Sequence, residues 1–238
     1  YARRSIEETP AFLELSKKGQ TESQLLNNFK DKEIRKSMLL LFLCVSSSGA
    51  ILFFCVQVYT GIFLKTSVKL EPALVDKLSI LATCALLPLT IFCGWLSDLY
   101  GRKSVVLSGI ILGAVFIYPS FRMLEKLGIT YIEIGSPSTL LSIFGILVFL
   151  ATLLALVVGP QTALLAEFFP AKNRNSAATV PHNLAAGWVG GLLPFIITWL
   201  NQTIDGNLAG LWYPVIFLGI AGMIALRFFP ETKSRNLL

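Results

Sequence analysis

Six stretches of this chain are almost uninterruptedly apolar: residues 37–63, 78–97, 105–123, 140–166, 177–200 and 209–229. A helical residue rises about 1.5 Å, so each stretch is about long enough to cross hydrocarbon as a helix. Barrel strands would be about half as long and would alternate apolar with polar, which these runs do not. Backbone groups in lipid must bond within their own segment, and that leaves the helix. The pattern predicts an all-α integral membrane protein: a six-transmembrane-helix bundle over residues 37–230, a polar segment 1–36 before it and a tail 231–238 after it. The fourth run is longer than a span requires and is expected to tilt or to end in a turn outside the membrane. Arg227 closes the sixth, where its side chain can snorkel to the interface.

Composition agrees. Hydrophobic residues make up 54% of the chain and charged residues 14%, and mean hydropathy is +0.69. Soluble domains carry about 25% charged residues, so a soluble enzyme is excluded. The net charge of +6 raises the question of nucleic acid. The cations, however, sit between the apolar runs and form no stripe interleaved with aromatics, so no nucleic-acid partner is expected. Of the 20 Lys and Arg, only Lys65, Lys69, Lys77, Arg122 and Lys126 fall on one side of the predicted topology. The rest share the other side, which makes it cytosolic and puts both termini there. Most of that weight lies in residues 1–36. The chain begins at Tyr1, so a longer or processed chain is expected, and no signal-peptide pattern precedes the first run. Cys44, Cys55, Cys84 and Cys93 lie inside apolar runs without metal-ligand spacing. They read as buried thiols acting as small hydrophobes. No cofactor and no metal is expected.

The most specific string lies between the second and third runs: Gly94-Trp95-Leu96-Ser97-Asp98-Leu99-Tyr100-Gly101-Arg102-Lys103. Gly94 allows another helix to approach closely. Asp98 is expected to end one helix and to accept bonds from a neighbouring helix N-terminus. Gly101 permits a tight reversal, and Arg102 and Lys103 hold the loop in the cytosol. This G-x-x-x-D-x-x-G-R-K string resembles the loop signature of the major facilitator superfamily of transporters, which works there as a conformational latch. Glu167-Phe168-Phe169-Pro170 followed by Arg174 resembles that family's turn after helix ten. Pro230-Glu231-Thr232-Lys233 resembles its P-E-T motif after helix twelve, and Glu8-Thr9-Pro10-x-Phe12 its stretch after helix six. In this order the four resemble the C-terminal half, helices seven to twelve, of a twelve-helix fold, with residues 1–36 as the cytosolic central loop. Pro181-His182-Asn183-Leu184, Gly190-Gly191 and Pro194 are similar to helix eleven of the metabolite:proton symporter branch, and Tyr118-Pro119-Ser120-Phe121 to its helix nine. That branch includes proline/betaine and α-ketoglutarate transporters. His182 stands where it usually carries an aromatic.

The resemblance implies secondary active transport of a small polar metabolite, an osmolyte or an organic acid, by alternating access. It implies protons as a coupling partner, a bacterial inner membrane, and a missing N-terminal six-helix half as the structural partner. Two other readings stand beside it: a degenerate, non-transporting half, and a membrane-embedded enzyme. The second lacks paired carboxylates or H-E-x-x-H in its spans.

Polar groups in mid-membrane are costly, so they are functional candidates by default. The substrate-pathway candidates are Gln57, Tyr59, Gly159, Gln161, His182 and Asn183. Gln57 reads as a cavity residue or a helix contact, and Tyr59 as a gate residue or an interfacial aromatic. Gly159, Pro160 and Gln161 read as a broken helix exposing backbone groups or as a plain proline kink. His182 reads as a proton-coupling group or as a structural donor, and Asn183 as a solute donor or a helix-helix bond. Thr179, His182, Asn183, Ala186 and Gly190 recur at three- and four-residue spacing, which predicts one helix face. Gly109/Gly113 and Gly187/Gly191 read as close-packing pairs, Trp188 and Trp199 as packing and belt residues, and Thr83 and Cys84 as weak pathway candidates. The topology has a direct check: cysteines placed at Arg102 and Lys69 should react with an impermeant thiol reagent from opposite faces of the membrane, and labelling from one face would refute it.

Overall fold

A computed structural model describes residues 29–169, 174–204 and 206–232, with Arg174 by its backbone alone. The Glu8–Phe12 motif, Pro170 and the Arg174 side chain lie outside the described residues. Six helices among the described residues are long and apolar enough to cross a membrane. They are α1 (Lys32–Thr66), α2 (Pro72–Tyr100), α3 (Arg102–Ile134), α4 (Pro137–Phe168), α5 (Asn175–Thr203) and α6 (Ala209–Phe228).

All but α6 overrun their apolar runs at both ends, and α1 begins at Lys32, ahead of its apolar run. Hydrophobicity marks only the part that meets hydrocarbon. A helix continues past it until a residue ends the backbone ladder. Asp31 does so for α1: its carboxylate accepts from the Glu33 and Ile34 amides at 2.9 and 3.4 Å. Pro72 and Pro137 open α2 and α4, where a missing N–H costs nothing. Gly135, at φ 67°, closes α3 in the left-handed conformation that other residues resist.

Two helices are irregular. α1 contains two π stretches, Leu41–Ser46 and Phe54–Tyr59, and α5 contains one, Ala185–Gly190. Each π turn holds an extra residue and shifts the register of the helix on its C-terminal side. α4, by contrast, is continuous through Pro160. The broken-helix reading of Gly159–Gln161 is therefore corrected: the helix runs through the proline site without unwinding.

α1 is the central helix. It contacts each of the other five, and 67% of its membrane window is buried, against 17% for α2 and 22% for α5. Its residues Tyr59 and Phe63 pack on Phe121 of α3, with ring centroids 5.7 and 5.2 Å apart. Cys44, Cys55 and Cys93 are buried, but Cys84 is exposed on α2, which corrects its reading as a core thiol. Helix composition does not say which side of an apolar helix faces its neighbours.

Glycine sets the closest crossing. Gly159 of α4 lies against Gly94 of α2, and a Cβ on Gly159 would sit 2.6 Å from the Thr90 carbonyl oxygen and 3.0 Å from the Gly94 nitrogen. Both obstacles are backbone, so neither helix can yield by a rotamer change. Gly109 packs mainly against the Val157 and Leu156 side chains of α4, and Gly113 against the Leu52 side chain of α1 and the Leu218 side chain of α6, while Gly187 has nothing within 4 Å of its Cβ direction. Gly159→Ala should destabilise the bundle by about 1–3 kcal/mol, the usual cost of overpacking, whereas Gly145→Ala, facing open space, should be neutral. Thermal unfolding midpoints in detergent decide, and equal midpoints would refute the crossing.

Candidate functional site

Two sites emerge. The first lies at one end of the bundle, where α2 turns into α3. α2 runs on to Tyr100, and the reversal falls entirely on Gly101, at φ 98°. The first amides of α3 have no partner within their own helix. The Glu231 carboxylate, beyond the end of α6, supplies it. The Arg102 amide donates to Glu231 Oε1 at 2.8 Å and the Lys103 amide to Oε2 at 3.2 Å. The φ of 98° favours glycine at 101, and a Cβ there, 2.6 Å from Glu231 Oε2, would push the capping carboxylate aside.

The Arg102 side chain gathers the rest. Its guanidinium donates to Ser97 Oγ at 2.6 Å and pairs with Asp98 at 2.5 Å and with Glu167 at 3.2 Å. Thr232 donates its hydroxyl to Glu167 Oε2 at 3.1 Å, and Lys103 Nζ donates to the Leu226 carbonyl at 3.2 Å. Phe168 stacks on Phe229 with centroids 4.9 Å apart and planes 6° from parallel. The ends of α2, α3, α4 and α6 are thereby joined. Arg102 is only 13% exposed, which strengthens its pairings relative to free surface pairs.

This arrangement corrects one expectation. Asp98 does not end α2 and does not cap α3. It lies inside the last turns of α2 and reaches Arg102 four residues on. At the start of the tail, Glu231 is the cap and Thr232 is fully buried.

The second site is a groove in the middle of the bundle. A cavity of about 430 Å³ is walled by Gly49, Ala50, Phe53 and Phe54 of α1, Val158, Gln161, Thr162 and Leu165 of α4, and His182 and Ala186 of α5. An adjoining cavity of about 460 Å³ shares Thr162, Leu165 and His182 and reaches Ala166 and Asn175. The groove thus opens toward the end that carries Glu167. No Asp, Glu, Lys or Arg among the described residues lines either cavity. The polar focus is Gln161, 6% exposed, whose Nε2 lies 3.4 Å from His182 Nδ1. Gly49 leaves room for that amide: a Cβ there would lie 3.2 Å from Gln161 Oε1. Such a wall can bind a solute through hydrogen bonds and apolar contact.

Residues 3–238 match the family described as sugar (and other) transporter. The chain belongs to that family, a branch of the major facilitator superfamily. Three relatives show what else the chain is similar to. It is 26% identical to an inner membrane metabolite transport protein of Escherichia coli, over 100% of this chain and 52% of that one. It is 28% identical to a putative proline/betaine transporter of Staphylococcus aureus, over 100% of this chain and 48% of that one. It is 28% identical to a citrate-proton symporter of Klebsiella pneumoniae, over 73% of this chain and 36% of that one. The chain spans about half the length of the curated relatives it matches, and its six membrane-length helices are half of the superfamily's twelve.

The candidates read from the sequence fall in different places. Gln161 and His182 come together on the groove wall. Thr179 and Ala186 join His182 in lining the groove, but Asn183 is exposed outside it and Gly190 is buried against Ala50 and Phe54. The single predicted face is therefore divided, because neighbouring helical positions are turned by about 100° and the π stretch at 185–190 adds a register shift. Gly159 packs backbone to backbone and does not line the groove. Gln57 accepts from Thr83 of α2 at 3.3 Å, and Tyr59 is 2% exposed and lines neither cavity. The sequence reading missed Gly49 and Thr162, small residues without a motif, and missed that Glu231 belongs with Arg102, which is 129 residues away in the chain.

The capping assignment is testable. Glu231→Ala should lower stability by about 1 kcal/mol through the lost cap, while Asp98→Ala, removing one partner from a half-exposed pair, should cost less. Unfolding midpoints in the reverse order would refute it.

Proposed function

We propose that this chain is the C-terminal half of a proton-coupled carrier for a small metabolite bearing a carboxylate, working by alternating access about the groove. The observation that carries this reading is the Gln161–His182 pair, the polar focus of a groove that otherwise lacks charge. Side by side, His182 and Gln161 can offer an imidazole N–H and an amide N–H to a carboxylate. Relatives named for proline, betaine and citrate support the solute class, because each of these molecules carries a carboxylate. A relative named as a proton symporter supports the coupling.

The facing half docks on α2 and α5. These two helices have the least buried membrane windows, and they present Trp95, Trp188 and Phe195 at 53%, 69% and 69% exposure. The unoccupied Gly187 on α5 adds a place for a second helix to approach. Gly94, Asp98, Gly101, Arg102 and Lys103 form the conformational latch, held at this end by Glu167 and Glu231, and Glu167, Pro170 and Arg174 are the cytosolic turn motif beside it. It faces the cytosol, as both termini do, on the strength of the cation distribution. The membrane is the bacterial inner membrane.

Uptake decides the matter. The complete carrier in proteoliposomes should accumulate at least one labelled carboxylate among proline, betaine and citrate under an imposed proton gradient, and a protonophore should abolish accumulation. Gln161→Leu should raise the KM for that solute about tenfold, as loss of one buried hydrogen bond to a charged group predicts. Uptake restricted to uncharged sugars, or accumulation indifferent to the protonophore, would overturn the proposal.

A further inference from the structure

The end of the bundle opposite Arg102 holds a polar network that the carrier reading leaves without a role. Asn201, near the end of α5, uses both halves of its amide. Its Oδ1 accepts from the Gly210 amide at 2.6 Å, and its Nδ2 donates to Tyr59 Oη at 3.0 Å and to the Asn207 carbonyl at 2.9 Å. Asn207 in turn donates to Glu125 Oε1 of α3 at 3.2 Å. One side chain thereby joins α1, α5 and the turn before α6, with α3 one bond further on.

Tyr59 is placed where such a bond has leverage. Its ring is buried against Phe63 and Phe121, and it is the last residue of the π stretch Phe54–Tyr59. The first residue of that stretch, Phe54, lines the groove. A π turn that relaxes to regular α geometry gives up one residue of register, about 100° of rotation between the helix segments on its two sides. Anchoring Tyr59 therefore fixes the angle at which Phe53 and Phe54 face the groove. α1 and α5 meet a second time at the groove itself, where a Cβ on Gly190 would lie 2.6 Å from the Phe54 ring. Both meeting points fall in the same π stretch of α1, and the one at the groove also ends the π stretch of α5.

We infer that Tyr59 and Asn201 are positioning residues: their hydrogen bond locks the π register of α1 against α5 and so holds the Phe53–Phe54 wall in its solute-binding position. Neither residue touches the solute. The inference rests on the carrier reading for its effect on transport, but not for its effect on structure, and two readouts keep these apart.

The first readout is transport by the complete carrier. Tyr59→Phe removes one hydroxyl and keeps the ring, so it should raise KM about fivefold while Vmax per folded molecule changes less than about twofold. Asn201→Ala should do the same, and the double variant should be no worse than the more affected single one, because both remove one bond. The second readout needs no transport. With the four native cysteines replaced and Phe53→Cys as the only thiol, labelling by a soluble maleimide in membranes should change rate about fivefold when Tyr59→Phe is added. Unchanged KM and unchanged labelling in Tyr59→Phe would overturn the inference, as would a loss of folded protein with both values intact. If the unaltered carrier takes up no solute, the carrier reading fails, and the labelling rate alone still decides the lock.

Discussion

Hydrocarbon offers no partner to a backbone amide, and most of this structure is a consequence of that. Every apolar run must close its own hydrogen bonds, so every run is a helix, and the unmet groups collect at the ends. The ends are also where charge can be held cheaply. That is why the densest chemistry of the chain lies at the α2–α3 turn: the free amides of α3 draw in the Glu231 carboxylate, and the Arg102 guanidinium draws in Asp98 and Glu167. A helix start without a cap has become the anchor for parts of the chain on either side of it in sequence.

Between the ends, shape replaces polarity. Lipid tails are as apolar as leucine, so helices associate through close fit and a few hydrogen bonds rather than through exclusion of water. The Gly94–Gly159 crossing brings α2 and α4 to backbone contact. α1 lies at the centre, and its π stretches widen it where it meets α5. What remains open between α1, α4 and α5 is the groove with Gln161 and His182 on its wall. The same helices that shape the groove carry hydrogen bonds at the far end, through Tyr59 and Asn201, so the geometry of the wall and the state of that end are mechanically linked.

The burial pattern separates the two kinds of exposed surface such a chain must have. α1 is buried on most of its surface, while α2 and α5 are open over most of their length. One of these open helices, α5, also walls the groove. A matching half seated there would therefore cover apolar surface and close the groove in the same movement.

The sequence alone determined the class, the number of spans and the family, because a hydrocarbon-length apolar run has one backbone solution and the motif at Gly94–Lys103 sits between two such runs. It also picked out Gln161 and His182, since buried polar side chains in lipid are few. It could not decide which polar residues meet. Asp98 had the chemistry of a cap, but Glu231 had the position. Tyr59 had the chemistry of a gate, but its ring faced Phe121 and its hydroxyl faced Asn201. Gly159 beside a proline looked like a break and proved to be a crossing. Spacing along a helix gives an angle about its own axis, whereas contact depends on how helices are turned and shifted against one another. A single π residue alters that relation by about 100°, and the alteration carries no mark in composition or periodicity, so only the packed bundle decided it.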